Sequence, residues 1–290
     1  MDKLQLDLTP VALALAHVAL GIVALILAKL LKDWLSPYGV DQELTARDNP
    51  AFGLAVTGYY AAVVMIFIGA ARSEGLPMDA GTMAALKALG VDIAWAGVGI
   101  VALAISRTLM DRLLIASCRQ SVEVVNNRNT AAGVVEGCVY AATGLVLAGA
   151  IRQPGGSIAS ALGFFLLSQI TLLLFGRLYQ RWAGYDAAKE IRGGNLAAGV
   201  PLGLTLIAIA LLMTKAMSGE FVDWGTNLSF FAFDAIAGFA LLMVLRWMTD
   251  LALLPNARIA DEIVRDRNVS VGLVEGTLAV GIAAILLFIF

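Results

Sequence analysis

The sequence predicts an all-α membrane protein, a polytopic helix bundle of about eight transmembrane helices in four parallel two-helix repeats. Composition is the first observation behind this prediction, because 60% of the 290 residues are hydrophobic and only 14% are charged. A soluble domain carries about 25% charged residues, so this chain has too few to cover a surface that faces water. The second observation is the even spacing of long apolar stretches, and the third is the recurrence of one short motif.

Eight stretches are long and apolar enough to cross a bilayer, which takes roughly 20 residues for ~30 Å of hydrocarbon. We place the spans at 11–31, 50–70, 88–109, 131–151, 157–176, 196–216, 228–248 and 269–290. The stretches are continuously apolar, and backbone polar groups cannot stay unsatisfied in lipid, so helices are the expected form. The first stretch ends in no cleavage pattern of a signal peptide, so we expect a retained helix.

Basic residues predict the orientation of the spans. Fifteen of the 20 lysines and arginines fall in the connections after the first, third, fifth and seventh spans. These are Lys29, Lys32, Arg47, Arg107, Arg112, Arg119, Arg128, Arg177, Arg181, Lys189, Arg192, Arg246, Arg258, Arg265 and Arg267. By the positive-inside rule these connections are cytoplasmic and both termini are non-cytoplasmic. The arginines at the connection ends are expected to anchor to anionic headgroups.

One motif closes each of these four connections, an asparagine followed four residues later by a glycine. The copies are Asn49 and Gly53, Asn129 and Gly133, Asn195 and Gly199, and Asn268 and Gly272. The repeating unit is therefore a span, a basic connector, an asparagine and a second span. The second and fourth copies also share a Val-Glu-Gly sequence that contains Glu136 or Glu275. We therefore divide the chain into two membrane halves, 1–151 and 152–290. Parallel repeats of this kind usually imply a pseudo-two-fold axis along the membrane normal.

These Asn-x-x-x-Gly openings, each preceded by an acid-bearing connector such as Asp261-Glu262-Ile263, resemble the domain of unknown function 350 family. The resemblance covers nearly the whole chain. It implies a bacterial inner-membrane protein built from two-helix units. It supplies no catalytic or binding residues.

Small residues on the second span of each repeat predict close helix packing. The pairs Gly133/Gly137, Gly199/Gly203 and Gly272/Gly276 each place small residues four apart on one face. Helix backbones can approach closely along such a face and gain van der Waals contact. We interpret these glycines, together with the four asparagines and Gly53, as packing residues. The alternative is that they narrow a central pathway.

Four carboxylates lie inside the predicted spans. Glu136 and Glu275 follow their asparagines by seven residues, roughly 10 Å along a helix, and Asp92 and Asp234 lie roughly 18–22 Å from the same edge. An ionised carboxylate near the bilayer centre costs roughly 2.5–3.5 kcal/mol on insertion scales. These acids must therefore face the bundle, be protonated or line water.

The functional hypothesis is that these four acids, with His17, form a proton or cation path. His17 precedes Lys29 by twelve residues, the same spacing that separates Asp234 from Arg246. The alternative is that the acids bond serine, threonine or tyrosine hydroxyls and fasten helices together. For His17 the alternative is a structural role.

No enzyme is expected, because the sequence contains no phosphate loop, nucleophile elbow or zinc-protease motif. Two cysteines, Cys118 and Cys138, and one histidine predict neither a disulfide framework nor a metal site. We expect no cofactor and no nucleic-acid partner. The favoured function is proton or cation transport. The alternative is a non-transporting scaffold, or a component of stress response or membrane maintenance, that recruits cytoplasmic proteins. The lipid bilayer and further copies of the chain are the expected partners.

Overall fold

The computed structural model describes residues 9–36, 38–71, 82–114, 122–253 and 258–289, so Cys118 and Arg119 lie outside the described residues. Its helices are α1 (Thr9–Leu35), α2 (Pro50–Ala71), α3 (Thr82–Leu113), α4 (Thr130–Arg152), α5 (Ile158–Trp182), α6 (Ala187–Arg192), α7 (Leu196–Ala216), α8 (Trp224–Leu253), α9 (Ile259–Val264) and α10 (Val269–Ile289). Among the described residues, eight of these helices are long and apolar enough to cross a membrane. The prediction of an all-α polytopic bundle is confirmed.

The eight long helices divide into two sets of four. We call α2, α4, α7 and α10 the inner helices and α1, α3, α5 and α8 the outer helices. The inner helices begin at or next to the predicted residues, whereas the outer helices are longer than predicted, α3 starting at Thr82 and α8 reaching Leu253. Hydropathy detects only the apolar part of a helix. Polar side chains at the membrane surface extend their polar tips into water and allow the helix to continue.

The connectors contain short helical segments. The first two hold one π-helical turn each, Gln42–Ala46 and Val122–Asn126, and the other two hold α6 and α9. Every connector then ends in a residue with positive φ. These residues are Asp48 at 45°, Arg128 at 50°, Gly194 at 74° and Arg267 at 49°. The left-handed residue reverses the chain and delivers the asparagine to the start of the inner helix.

Each inner helix is capped by its motif asparagine. The side-chain oxygen of Asn129 accepts a hydrogen bond from the backbone N–H of Ala132 at 3.2 Å, and that of Asn195 accepts one from Ala197 at 3.1 Å. An asparagine in this position satisfies one of the backbone donors that the first turn leaves unpaired. The cap explains why these four helix starts could be predicted closely.

The inner helices pack side by side in chain order, α2 against α4, α4 against α7 and α7 against α10. Glycines set the spacing, because a Cβ added at Gly58 would overlap the backbone of Gly137 and one added at Gly144 would overlap Ala62. The middle of the row is the core of the protein. In the most apolar stretch of α7, 78% of the residues are buried, against 11% in α1.

The outer helices form a second layer on this row. α3 packs between α2 and α4, α5 between α4 and α7, and α8 between α7 and α10. Neighbouring outer helices also touch each other, and the rings of Phe175 and Phe239 stack with centroids 4.2 Å apart between α5 and α8. The result is two layers of four helices in which α3, α5 and α8 each cover a seam between inner helices, while α1 packs against α2 and α3.

Candidate functional site

Glu136 is buried in an ion pair in the first half of the bundle. Its carboxylate lies 3.0 Å from Nε of Arg107 on α3, and only 3% of the residue is exposed. The guanidinium of Arg107 lies 5.9 Å from the ring centre of Tyr140, whose hydroxyl accepts a hydrogen bond from Nζ of Lys32 at 3.3 Å. Lys32 also sits 4.8 Å from the ring centre of Tyr59. Polar side chains from all four helices of the first half therefore form one connected cluster that includes the Glu136 carboxylate.

Glu275 forms the matching pair in the second half. Its carboxylate lies 2.9 Å from Nε of Arg246 on α8 and accepts a hydrogen bond from the hydroxyl of Tyr179 at 2.9 Å. The guanidinium of Arg246 lies 4.6 Å from the ring centre of Tyr179, close enough for a cation–π interaction. Charge, hydrogen bonding and the aromatic face all hold the two side chains together.

Both arginines were expected to reach outward to lipid headgroups, and the structure shows otherwise. The side chains of Arg107 and Arg246 are only 22% and 14% exposed, and each turns inward to a glutamate of an inner helix. The sequence contained a usable signal. Arg107 precedes Glu136 by 29 residues and Arg246 precedes Glu275 by the same number, in the two halves.

Asp92 and Asp234 have different partners. Asp92, 5% exposed, lies with one carboxylate oxygen 3.4 Å from Nε2 of His17, so the structure brings these two predicted site residues together. Asp234 pairs with Nζ of Lys215 at 3.0 Å, and its side chain is 25% exposed. The four acids thus lie in four separate pairs with bases. Within the described part of the chain, no group of three or more His, Cys, Asp or Glu side chains is placed to hold a metal ion.

Cavities of different size adjoin the two glutamate pairs. Arg107 and Lys32 line a pocket of about 460 Å³ between α1 and α3. Arg246 and Glu275 line a cavity of about 20 Å³ together with Thr205, which is room for one water molecule. Equivalent sites in the two halves therefore adjoin a large pocket in the first and a small cavity in the second.

Tyr185 connects the second site to the connector end of the bundle. It follows α5, outside the apolar span, and its hydroxyl has no hydrogen-bond partner among the described residues. Burial, and then the negative charge of Glu275, raise the pKa of Tyr185, so the phenol stays protonated. The negative charge of Glu190 in the connector also raises the pKa of Tyr185.

Each motif asparagine ties its connector closed by donating to a glutamate five or six residues earlier, at 2.8 to 3.2 Å. The pairs are Asn49 with Glu43, Asn129 with Glu123, Asn195 with Glu190, and Asn268 with Glu262. Sequence reasoning missed these glutamates as a set. The glutamate lies six residues before the asparagine in the first, second and fourth copies and five residues before it in the third copy. This spacing is the signal that identifies the four glutamates.

The predicted packing glycines lie in the seams of the inner row. Six of them place their Cα against the preceding inner helix, where a Cβ would overlap it: Gly133, Gly137, Gly199, Gly203, Gly272 and Gly276. Gly53 differs, because it belongs to the first inner helix, and a Cβ there would meet only the side chain of Leu44 at 3.8 Å.

A family model described as Domain of Unknown Function (DUF350) matches the chain twice, over residues 5–151 and 155–289. Comparison with curated proteins and with solved structures finds no match. The two matched segments each contain one buried glutamate–arginine pair, Glu136 with Arg107 in the first and Glu275 with Arg246 in the second.

Proposed function

We propose, from the premise that this chain belongs to the DUF350 family, that it is a transport protein that moves protons or a small cation across a membrane. Glu136 and Glu275 are the carboxylates that exchange the ion. The membrane is the bacterial inner membrane, with the connectors on the cytoplasmic side, as the basic residues predict.

The duplicated glutamate–arginine pair supports this proposal most directly. Each pair lies roughly 10 Å inside the bilayer from the connector edge, and each carboxylate is at most 5% exposed. Ionisable side chains at this depth are expensive, and they commonly mark ion pathways and proton relays. A chain of neutral apolar helices needs no such pair to fold.

Energetics favour a working role for the pairs. The free-energy cost of removing two charges from water often exceeds the free energy gained from their attraction. A buried ion pair is therefore seldom the most stable arrangement for a core. Protonation of Glu275 would remove the counter-charge of Arg246 and free that guanidinium to move. The pair is therefore a switch whose two states differ by one proton.

Polar groups at several depths supply the elements of a route. Near the connector end of the second half, Tyr179 donates a hydrogen bond to Glu275, and the charge of Glu275 acts on Tyr185. Further in, Gln169 and Thr143 are buried and have side-chain atoms without a hydrogen-bond partner among the described residues. Buried polar groups of this kind are normally satisfied by water, so the proposal predicts ordered water at this depth.

The test is proton flux into proteoliposomes under a pH gradient. We expect Glu136→Gln combined with Glu275→Gln to abolish flux, because a glutamine cannot carry a proton at neutral pH. Glu220→Gln is the matched control, since Glu220 is exposed in the connection between α7 and α8. Unchanged flux in the double variant would exclude the proposal. Loss of flux in the Glu220 variant would show that the assay reports protein damage.

A second candidate function is a scaffold that recruits cytoplasmic proteins. Its supporting observation is that the four connectors meet at one end of the bundle and expose basic side chains there. These side chains are Arg47, Arg128, Lys189, Arg192, Arg265 and Arg267. A photo-crosslinking residue in place of Lys189 should capture a partner in cells, and one in place of Ile170 on the membrane-facing side should not. Recovery of the same proteins at both positions would contradict the scaffold.

A further inference from the structure

The row of inner helices is built by repeating one step. The amides of the first three motif asparagines each donate across the seam to a backbone carbonyl of the next connector. The acceptor is always the carbonyl of the residue after the connector glutamate. The three bonds are Asn49 to Val124 at 3.0 Å, Asn129 to Ile191 at 2.7 Å and Asn195 to Ile263 at 2.8 Å. The same side of each repeat always donates, and the opposite side always accepts.

Helix contacts repeat in the same register. In the second, third and fourth repeats, the glycine of the Asn-x-x-x-Gly motif packs on a backbone carbonyl of the preceding inner helix. That carbonyl always belongs to the residue two positions after the preceding repeat's asparagine. The pairs are Gly133 on Ala51, Gly199 on Ala131 and Gly272 on Ala197. Three seams with one geometry define an interface that the chain already uses. Among the described residues, the two ends of the row have no partner for this interface.

The accepting end of the row is exposed at α2. Leu44 is the residue after the first connector glutamate, and it is 36% exposed, whereas its counterparts Val124, Ile191 and Ile263 are at most 1% exposed. Val64 is 41% exposed, whereas its counterparts on α7 and α10, Ala210 and Ala283, are fully buried (0%). The face of α2 that corresponds to the buried faces of the later helices is therefore uncovered.

The donating end is exposed at α10. Among the described residues, the side chain of Asn268 bonds only to Glu262 and to the first turn of its own helix. The α10 residues that match the seam residues of α2 are all exposed: Ser270, Leu273, Val274, Thr277, Gly281 and Phe288. A Cβ added at Gly281 would meet no atom within 4 Å.

A groove between α1 and α2 marks where a further inner helix would lie. Its volume is about 610 Å³, and Val64, Phe67 and Ile68 of α2 line it together with α1. The repeat register predicts which residue fills it. Within the chain, Gly69 of α2 packs on Ala148 of α4. The residue of α10 equivalent to Gly69 is Phe288, which is 86% exposed, and the residue of α2 equivalent to Ala148 is Ile68 in the groove.

We infer that a second copy of this chain docks on the first, with α10 of one copy lying against α1 and α2 of the next. The amide of Asn268 donates to the carbonyl of Leu44 in the neighbouring copy, and Phe288 enters the groove beside Ile68. Side chains at this seam are larger than within the chain, with threonines at 57 and 277 where α4 and α2 have Gly137 and Gly58. The helices of two copies therefore stand further apart, and the groove provides room for Phe288. A head-to-tail contact of this kind leaves both outer ends free for more copies and generates a ring or an open row.

Cysteine crosslinking in native membranes tests the contact. Thr57 and Thr277 hold the positions of Gly137 and Gly58, whose backbones touch in the chain. In a background with Cys118→Ser and Cys138→Ser, Thr57→Cys with Thr277→Cys should give a ladder of dimers, trimers and larger species on oxidation. Each single variant should give no ladder. Thr277→Cys with Ile170→Cys is the collision control, because Ile170 is 63% exposed on α5. A double variant that crosslinks no more than this control would overturn the inference.

A bulk substitution tests the same seam without cysteines. Among the described residues, a Cβ at position 281 meets no atom of its own chain within 4 Å, whereas the side chain of Gly281→Leu would meet Val64 of a neighbour. Gly97→Leu on α3 is the matched control, since a Cβ there also meets nothing within 4 Å. We expect the native mass of the Gly281 variant to fall at least twofold, toward the single chain, while the Gly97 variant stays at the wild-type mass. Equal masses for both variants and the wild type would contradict the inference. Assembly is measured without ion flux, so failure of the transport proposal leaves this result unaffected.

Discussion

The ion pair between Arg246 and Glu275 offers the sharpest test of how the buried charges act. Replacing Glu275 by leucine leaves the guanidinium of Arg246, whose side chain is 14% exposed, without its carboxylate, and it removes the acceptor of the Tyr179 hydroxyl. Removing one member of a buried pair typically costs about 3–5 kcal/mol. We expect Glu275→Leu and Arg246→Met each to lower the free energy of unfolding by about that amount.

The combination of the two substitutions should behave differently. With both charges gone the site becomes apolar, and replacing a buried pair by apolar side chains of similar volume is often neutral or stabilising. The double variant should therefore lie within about 1 kcal/mol of the wild type, far from the sum of the single losses. It should also fold with reduced proton flux, because Glu275 is gone and Glu136 remains in the first half.

Unfolding in mixed micelles at increasing SDS fractions, followed by tryptophan fluorescence, measures these differences. Arg265 and Asp266 supply a matched control, because they form an ion pair at 2.8 Å with both side chains exposed. Their single substitutions should change stability little, since exposed pairs are screened by solvent. A double variant at 246 and 275 that loses as much as the two single variants together would refute the reasoning.

Two further predictions concern helix starts. Asn129→Ala removes the bond to the Ile191 carbonyl, the bond to Glu123 and the cap of α4, so we expect a loss of about 2–4 kcal/mol, measured by the same unfolding assay. The exposed Asn127→Ala is its control, and equal losses would contradict the role of the seam bond. For α8, Asp223 accepts hydrogen bonds from the backbone N–H and then the hydroxyl of Thr226, which lowers the pKa of Asp223 from its ordinary value of 3.8. The stability difference between wild type and Asp223→Ala should therefore be full above pH 3.8 and shrink as the pH falls through the lowered pKa; a difference that grows in acid would be the wrong sign.

The sequence was most informative where a single local rule decides the structure. Span number follows from hydropathy and bilayer thickness, and the inner helix starts follow from asparagine caps such as Asn129, since both depend on residues close together in the chain. The resemblance to the family and the repeat also needed only local motifs, and the family match over 5–151 and 155–289 agrees with it.

Side-chain partners were less accessible to sequence reasoning. Arg107 and Arg246 lie near span ends, where an arginine can reach either toward lipid headgroups or back into the bundle. The choice depends on which helices are neighbours, and helices that are apolar on every side do not reveal their neighbours by periodicity. The glutamates could be assigned to their spans from residue numbers alone, but their pairing required the order of the two layers.

The nearest-neighbour order of the hairpins has a consequence for how the protein comes apart. Stability in such linear arrays is approximately a sum of contributions from each unit and from each junction, as in soluble solenoids. The outermost helices α1 and α10 have the fewest buried residues, and α4 and α7 have the most. Unfolding should accordingly begin at the two termini and proceed inward, so that α4 and α7 are the last elements to separate.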